Sequence, residues 1–356
     1  MATTPLRPAA LDLTEIRDGV DAVLYGFLDD LCPAGDDGPL PVLAGTVRTF
    51  LGAGGKRIRP LLCMIGWHAG GGAGEPAAAL RLAAALELFH AAVLMHDDVI
   101  DESPTRRGRP TVHHVLAEHR RAGPDLRFGT SAAIILGDLT LAWSDQLVRS
   151  AGMPADRLQD VLPVLEAMRT EVNLGQFLDL VATGRPTADL EAALTIARYK
   201  TAHYTVQRPL QAGAALAGAS PDVLAACSAF GIPLGEAFQL RDDLLGVFGD
   251  PSRTGKPVVS DLREGKHTPL IALALRRAGS AQSATLHARL GNPRLDEAGA
   301  AEVRRVLSAT GAPGLVEQMI AERHAQALDV LAAAPFRPAA ADALRAMADI
   351  VVRRTG

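Results

Sequence analysis

The sequence predicts an all-α protein organised as a single domain. Ala and Leu dominate its 48% apolar fraction, aromatic residues reach only 4%, and no stretch alternates apolar and polar residues for long. Ala and Leu favour close-packed helices, whereas strand proteins carry more Val, Ile, Thr and aromatic residues. The 356 residues suit one large domain or two ordinary ones. No repeat and no long linker divides them, so one domain over 1–356 is the simplest organisation, with the chemistry-bearing motifs between about 50 and 270.

Residues 12–31 read as an amphipathic helix, and CPAGDDGPLP at 32–41 as a loop punctuated by Pro and Gly. LGAGGKRIRPLLCMIGW reads as a Gly-rich turn running into a helix, closed by a second loop, AGGGAGEP, at Ala69–Pro76. From Ala77 to about Glu102, apolar residues fill most positions for several turns, which makes that helix central. GTSAAIILGDLTLAWSDQLVRS, ending at Ser150, has the same character. Further helices are expected near 155–182, 187–218 and 220–248, then a polar loop at 249–267. The last helices are expected near 268–278, 296–309, 313–333 and 337–353.

The net charge of −4, from 36 basic and 40 acidic residues, gives no whole-protein pull toward nucleic acid or an anionic membrane. Any phosphate site must therefore be local. Cys32, Cys63 and Cys227 are far apart and form no CxxC. Neither a disulfide framework nor a structural zinc site is expected, and a reducing cytoplasm fits. The opening MATTPLRPAALDLTEIRDG lacks an apolar core of signal-peptide length. The most apolar stretch, Leu82–Met95, is interrupted by Glu87 and His90 and is too short to span a bilayer. The expectation is a soluble cytoplasmic protein with no stable membrane anchor.

LMHDDVIDESPTRRG places Asp97, Asp98 and Asp101 at the C-terminal end of an apolar helix. Asp97 and Asp101 project from one face, one turn apart, with Asp98 beside them. Three like charges at the unfavourable end of a helix dipole are costly unless a cation compensates them. Magnesium suits such carboxylates and bridges them to substrate phosphates. Taken alone, the cluster reads equally well as a solvated acidic helix end. FQLRDDLLGVFGD ends a second apolar run with Asp242 and Asp243. Two clusters facing each other across a cavity would hold several magnesium ions around one diphosphate, and chance supplies two much less readily than one.

The basic residues form a third set. GGKRIRP supplies Lys56, Arg57 and Arg59 after a glycine turn; Arg106 and Arg107 follow the first aspartates. Lys200 and Thr201 lie in RYKTAHYT, Lys256 in RTGKP and Lys266 in REGKH. Their cationic groups bind diphosphate oxygens by charge-assisted hydrogen bonds. Each alone is an ordinary surface residue; the set points to a diphosphate.

Two near-misses exclude nucleotide binding. In LGAGGKR, Arg57 stands where a dinucleotide fingerprint needs its last glycine, and no strand precedes it. In GDPSRTGKP the P-loop spacing is one residue too long, and Pro257 replaces the Ser or Thr. His90, two helical turns before Asp97 on the same face, is equally a phosphate donor or a satisfied core histidine. His113 and His114 are expected to be structural or surface residues, and Asp138 to hydrogen-bond internally.

GGKRIRP, HDDVIDESPTRRGRPTVH, KTAHYT, FQLRDDLLG and TGKPVVSDLREGK resemble, in order and approximate spacing, the trans-isoprenyl diphosphate synthases of the polyprenyl synthetase family. The resemblance implies a bundle of mostly antiparallel helices around a deep central cavity, usually as a homodimer. It implies that Asp97, Asp98 and Asp101 hold magnesium on an allylic diphosphate and that Asp242 and Asp243 complete a three-metal cluster. Arg106, Lys200, Lys256 and Lys266 would grip the allylic diphosphate. Lys56, Arg59, His90 and Arg107 would bind isopentenyl diphosphate, and Thr201 and Gln239 would lie near the reacting carbons. Gln176 and Asp179, in NLGQFLDL, would line the same cavity. One departure stands out: Gly246 replaces the third aspartate of the second motif, and Asp250, four residues on, is not expected to substitute.

The implied reaction condenses isopentenyl diphosphate with an allylic diphosphate. Magnesium and the basic residues would stabilise the departing diphosphate more than the bound reactant. Val93 and Ala92, four and five residues before Asp97, are not aromatic. In the family, bulky residues here stop growth at the farnesyl stage. Phe89, one turn deeper, would then form the floor, and a turn of about 5.4 Å is close to one isoprene unit. Geranylgeranyl diphosphate is therefore the expected product, with a farnesyl or longer chain as the alternative. Trp143 is a second floor candidate; core packing accounts equally well for both aromatics. A class I terpene cyclase would not need an isopentenyl site such as Lys56, Arg59 and Arg107, and a non-catalytic regulatory subunit would be expected to lose aspartates that are present here.

Overall fold

Residues 10–32, 38–120, 123–250 and 259–353 are described by a computed structural model, and helices fill most of them. The first are α1 (Leu13–Asp30), α2 (Leu40–Gly52), α3 (Ile58–Ala69) and α4 (Ala77–Ile100). A two-stranded antiparallel hairpin of β1 (Thr105–Arg106) and β2 (Arg109–Pro110) leads to α5 (Val112–Ala117), α6 (Leu126–Arg149) and α7 (Ala155–Ala182). Helix α8 (Leu190–Ala197) runs through a π-helical segment, Arg198–Gln207, directly into α9 (Arg208–Leu216); α10 (Pro221–Phe248) follows. The remaining helices are α11 (Ser260–Glu264), α12 (Pro269–Arg277), α13 (Ser280–Arg289), α14 (Glu297–Ala309), α15 (Ala312–Ala333) and α16 (Pro338–Arg353).

The all-α class is as the sequence predicts. Helices α2, α5, α11 and α13 are additions. Helix α5 has six residues and α11 five, too few to show a helical period. Helix α13 buries only Leu286, so it has no apolar stripe to read. The single helix expected near 187–218 carries the π segment in its middle, which no apolar period announces.

Helix α4 is the axis of the fold. It buries Leu82, Ala83, Ala84, Leu88, Ala91, Ala92 and Met95, leaving little of its surface to solvent. Its alanines let neighbours come close, and it packs against α6, α3 and α1. At 24 residues, α4 is longer than Leu82–Met95 suggests; it and α10 are long and apolar enough to cross a membrane by length and hydropathy alone. Within the fold their apolar windows are 67% and 56% buried, the pattern of core helices.

The π segment is clamped from two sides. Gly175 of α7 lies against the backbone of Lys200, and Gly235 of α10 against that of Ala202. A Cβ at Gly175 would overlap Lys200 backbone atoms, which cannot turn aside as a side chain can. Gly175→Ala should therefore lower the unfolding free energy by about 1–3 kcal/mol, the usual cost of overpacking, in urea denaturation. Gly45→Ala, in α2 with nothing within 4 Å, is the control and should be neutral or stabilising.

Candidate active site

Helices α3, α4, α7 and α10, with the π segment, surround a cavity of about 720 Å³. Helix α4 presents Glu87, His90, Val93, Leu94 and Asp97 to it, the three- and four-residue spacing of one helical face. Helix α10 presents Gln239, Asp242, Asp243 and Gly246 from the other side. The two carboxylate clusters expected from the sequence thus share one cavity.

Each aspartate at the end of α4 meets a different basic residue. Lys200 Nζ lies 3.3 Å from Asp97 Oδ1 and 2.6 Å from Asp179 Oδ2. Arg106 Nε donates to both oxygens of Asp98 at 2.8 Å, and its Nη2 lies 3.3 Å from Asp97. Lys266 Nζ is 2.9 Å from Asp101 Oδ2. Asp101 closes α4 as its C-cap and faces a smaller cavity of about 160 Å³, beside Glu102, Gln176, Asp179 and Glu264. Gln176 and Asp179 line both cavities.

Asp98 departs from the expected role. It is completely buried and turned onto Arg106, away from the cavity lining. One residue along a helix is a rotation of about 100°, so Asp98 cannot share the face of Asp97. It anchors the hairpin instead. That hairpin turns through Arg107 and Gly108 at φ 53° and 72°, the two positive values of a type I′ turn. The turn presents Arg106 to the aspartates and sends Arg107 to the carbonyl of Gly54.

The basic end of the cavity collects Lys56, Arg57, Arg59, Arg106 and Arg107. Arg57 is buried, held by Asp21 at 2.8 Å, Glu87 at 2.9 Å and the Leu51 carbonyl at 3.1 Å. Arg59 donates to the Thr205 hydroxyl at 2.6 Å and lies over the Tyr204 ring, 4.1 Å from its centroid. His90 Nδ1 meets the Tyr204 hydroxyl at 2.5 Å. Burial, then the charges of Arg59, Arg107 and Arg106, push His90 well below the usual histidine range, so its ring is neutral.

On α10, the Thr201 hydroxyl bonds Gln239 at 2.5 Å, and the Gln239 amide donates to Asp243 Oδ1 at 2.7 Å. Burial raises Asp243 to about 8, opposed by that hydrogen bond and reinforced by Asp242, Asp261 and Asp179. Burial would depress Lys200 and Lys266, but Asp97 and Asp179, and Asp101 and Asp261, more than offset it, so both lysines are raised.

Of the remaining expected residues, Val93 lines the cavity, while Phe89 and Ala92 are buried in the packing beside it. Leu94, which the sequence reading passed over, lines it too. Trp143 is buried in the core. Asp138 is on the surface, 3.5 Å from His96, rather than bonded internally. His113 is buried in α5, its ring against His114. Lys256 lies outside the described residues. Tyr204 and Thr205 were missed; their signal was their place in KTAHYT, one turn after Lys200 and Thr201. Asp261 was missed as well, within VVSDLREGK.

The donor set suits magnesium. Asp243 is 7% exposed, and its Oδ2 is buried with no hydrogen-bond partner. Among the described residues no group of three His, Cys, Asp or Glu side chains closes around one ion. An ion here must complete its shell with water and substrate phosphate oxygens, as magnesium commonly does.

The polyprenyl synthetase family model matches residues 41–308. The chain is 35% identical over 240 residues to the geranylfarnesyl diphosphate synthase of Aeropyrum pernix, covering 67% of this chain and 71% of that one. It is 33% identical over 308 residues to the short chain isoprenyl diphosphate synthase of Methanothermobacter thermautotrophicus, covering 85% and 87%. In structure it is similar to the geranylgeranyl pyrophosphate synthase of Corynebacterium glutamicum complexed with isoprenyl diphosphate and magnesium. The TM-score is 0.91 at 38% identity, over 97% of this chain and 100% of that one.

The raised Asp243 sets a pH dependence for the metal-free protein. The folded chain keeps a proton on this carboxyl up to about pH 8, whereas the unfolded chain loses it near the ordinary carboxyl value of 3.8. Between those limits the native state binds more protons, so this group favours folding less as pH rises. Asp243→Asn should remove that slope. In EDTA, its thermal midpoint should exceed the native one by more at pH 8 than at pH 5.

Proposed function

The chain belongs to the polyprenyl synthetase family, and we infer that it is a trans-prenyltransferase that condenses isopentenyl diphosphate with an allylic diphosphate. The observation that carries this reading is one cavity with carboxylates from α4 and α10 around one part and arginines from α3 and the hairpin at another.

In this reading Asp97, Asp101, Asp242 and Asp243 would hold magnesium, three ions in all, and the metal would supply the positive charge that neutralises a departing diphosphate. Lys200 and Lys266 move from their carboxylate partners to the arriving allylic diphosphate. Arg106, locked on Asp98, keeps Asp97 aimed and adds its charge. Lys56, Arg59 and Arg107 take isopentenyl diphosphate, and neutral His90 donates a ring N–H to it. The C–O bond of the allylic diphosphate breaks and releases pyrophosphate, the double bond of isopentenyl diphosphate attacks the allylic cation to form the new C–C bond, and the proton then lost from the isopentenyl carbon passes to the released pyrophosphate. Thr201 and Gln239 sit beside that centre. Their hydrogen-bonded line to Asp243 fixes the carboxylate's aim.

Geranylgeranyl diphosphate is the proposed product. The relatives differ in product, so identity alone does not choose. The reason is steric: Val93 and Leu94, neither of them aromatic, are the side chains that line the cavity one turn below Asp97 and leave room there for a growing tail.

A homodimer is proposed through α6 and α7. Ile135, Phe177 and Val181 are 63%, 62% and 58% exposed, the large apolar side chains of α6 and α7 that a second copy would cover. They flank the same end of α4: His96 bonds the Ile134 carbonyl, and Lys200 joins Asp179 to Asp97. Free Cys32, Cys63 and Cys227, the last two buried, support a cytoplasmic location.

Purified protein with magnesium, labelled isopentenyl diphosphate and geranyl or farnesyl diphosphate should yield an elongated linear diphosphate; a cyclic hydrocarbon, or no turnover, would refute the reading. Asp97→Asn should cut kcat by about 10²-fold or more, the scale of lost electrostatic stabilisation. Val93→Phe should shift the product toward shorter chains on mass spectrometry, and an unchanged distribution would refute the steric account.

A further inference from the structure

Asp21 lies on α1, belongs to no motif and does not line the cavity, yet it holds a residue that does. Arg57 stands between Lys56 and Arg59 and caps the start of α3 at φ 49° and ψ 38°, in the left-handed region. That conformation is uncommon for a residue with a side chain and persists only where the surroundings fix it. Gly54 and Gly55 also have positive φ, 101° and 143°, which glycine adopts freely. The strained position of this loop is therefore Arg57, and its conformation sets how Lys56 and Arg59 leave the turn.

The anchor is the Arg57 side chain. Its Nε donates to Asp21 of α1 at 2.8 Å, its Nη1 to Glu87 of α4 at 2.9 Å and its Nη2 to the Leu51 carbonyl of α2 at 3.1 Å. One buried guanidinium, with donors in a fixed planar fork, thus joins three helices to the start of a fourth. Glu87 lies three residues before His90 on the cavity face of α4, so the same guanidinium sets the loop against His90. The carboxylates also balance charge. A Cβ at Gly55 would stand 3.1 Å from Arg107 and 3.3 Å from Arg57, so two guanidinium groups close on one glycine. Asp21 and Glu87 supply the negative charge that offsets their repulsion.

We propose that Asp21 is a positioning residue of the isopentenyl diphosphate site. Acting through Arg57, it keeps the loop before α3 in its left-handed turn, and so keeps Lys56 and Arg59 placed for the diphosphate. The inference rests on the reading of the arginine side as the isopentenyl diphosphate site and extends that site's support to the first helix.

The test uses two variants. Asp21→Ala removes the acceptor, whereas Asp21→Asn removes the charge but keeps a carbonyl that can accept from Arg57 Nε. The Asp21 side chain is 31% exposed and Ala suits a helix, so both should fold, which circular dichroism checks. Isopentenyl diphosphate binding is read by calorimetry in EDTA, and KM for isopentenyl and geranyl diphosphates is read with magnesium. Charge alone predicts that losing an aspartate near an anion site tightens isopentenyl diphosphate, equally in both variants. Positioning predicts the opposite sign and an order. Asp21→Ala should weaken binding by about 10-fold, within the roughly 10²-fold that a misplacement of about 1 Å can cost. Asp21→Asn should lose less, and KM for geranyl diphosphate should not change in either.

Isopentenyl diphosphate bound by Asp21→Ala as tightly as by the native protein, or more tightly, would overturn the proposal. So would equal losses for both substrates, the mark of a general structural effect. If the native protein neither binds isopentenyl diphosphate in EDTA nor elongates geranyl diphosphate with it, the reading of the site falls instead, which separates the two failures.

Discussion

The structure turns on how a surplus of carboxylates is kept in one partly buried space. The three aspartates at the end of α4 repel one another, and each is paired with a base from a different part of the chain: Asp97 with Lys200 of the π segment, Asp98 with Arg106 of the hairpin, Asp101 with Lys266 after α11. These pairings tie three separate segments to one helix end. Each is also a constraint, because removing one partner from a buried pair strands the other's charge at a cost of about 3–5 kcal/mol. The Asp98–Arg106 pair is the most enclosed and the least free to exchange. The two lysine pairs are more accessible to a competing anion, with Lys200 23% and Lys266 20% exposed in their side chains.

Regular helices alone would not bring these groups together. Lys200, Thr201, Tyr204 and Thr205 all line the cavity from the π segment, whose wider turn sits at the site itself. Glycines in α7 and α10 let the widened segment fit between its neighbours. The I′ turn at Arg107–Gly108 does the same for the arginines, holding a non-glycine residue at positive φ so that adjacent side chains face different partners. Local rules are broken where function requires it, and the surrounding packing keeps the departures in place.

Much of this was legible in the sequence, because its signals are of two readable kinds. Long apolar helices announce themselves by period, so α4, α6, α7, α10 and the C-terminal helices were expected near where they lie. Charged clusters announce themselves by spacing, so Asp97, Asp242, Lys200 and Arg107 could be named. What was not legible depends on rotation and on contacts between segments. Spacing placed Asp98 with its neighbours, but only the fold turns it onto Arg106. The sequence put Phe89, Ala92 and Val93 on a tail path, while the helix turns Val93 and Leu94 to the cavity and buries Phe89 and Ala92 beside it. Asp261 sits in a short polar stretch with no period, and only the fold brings it to the cavity wall. The π segment leaves no mark in composition at all.

The opposite shifts at the two parts of the cavity argue for how two diphosphates are told apart. At the carboxylate side, burial and neighbouring aspartates raise Asp243 to about 8, a carboxyl pushed to keep its proton because negative charge is in excess. At the arginine side, burial and neighbouring arginines lower Arg107 and drive His90 neutral, where positive charge is in excess. Asp21 and Glu87 pair directly with Arg57, while Arg59 is met by a neutral hydroxyl and a ring face. A diphosphate can enter the second region directly, because its charge is what is missing there. It can enter the first only with cations, because carboxylates would otherwise repel it. Only the first diphosphate is thereby neutralised enough to leave, so the asymmetry of charge fixes which substrate ionises and which keeps its diphosphate and attacks.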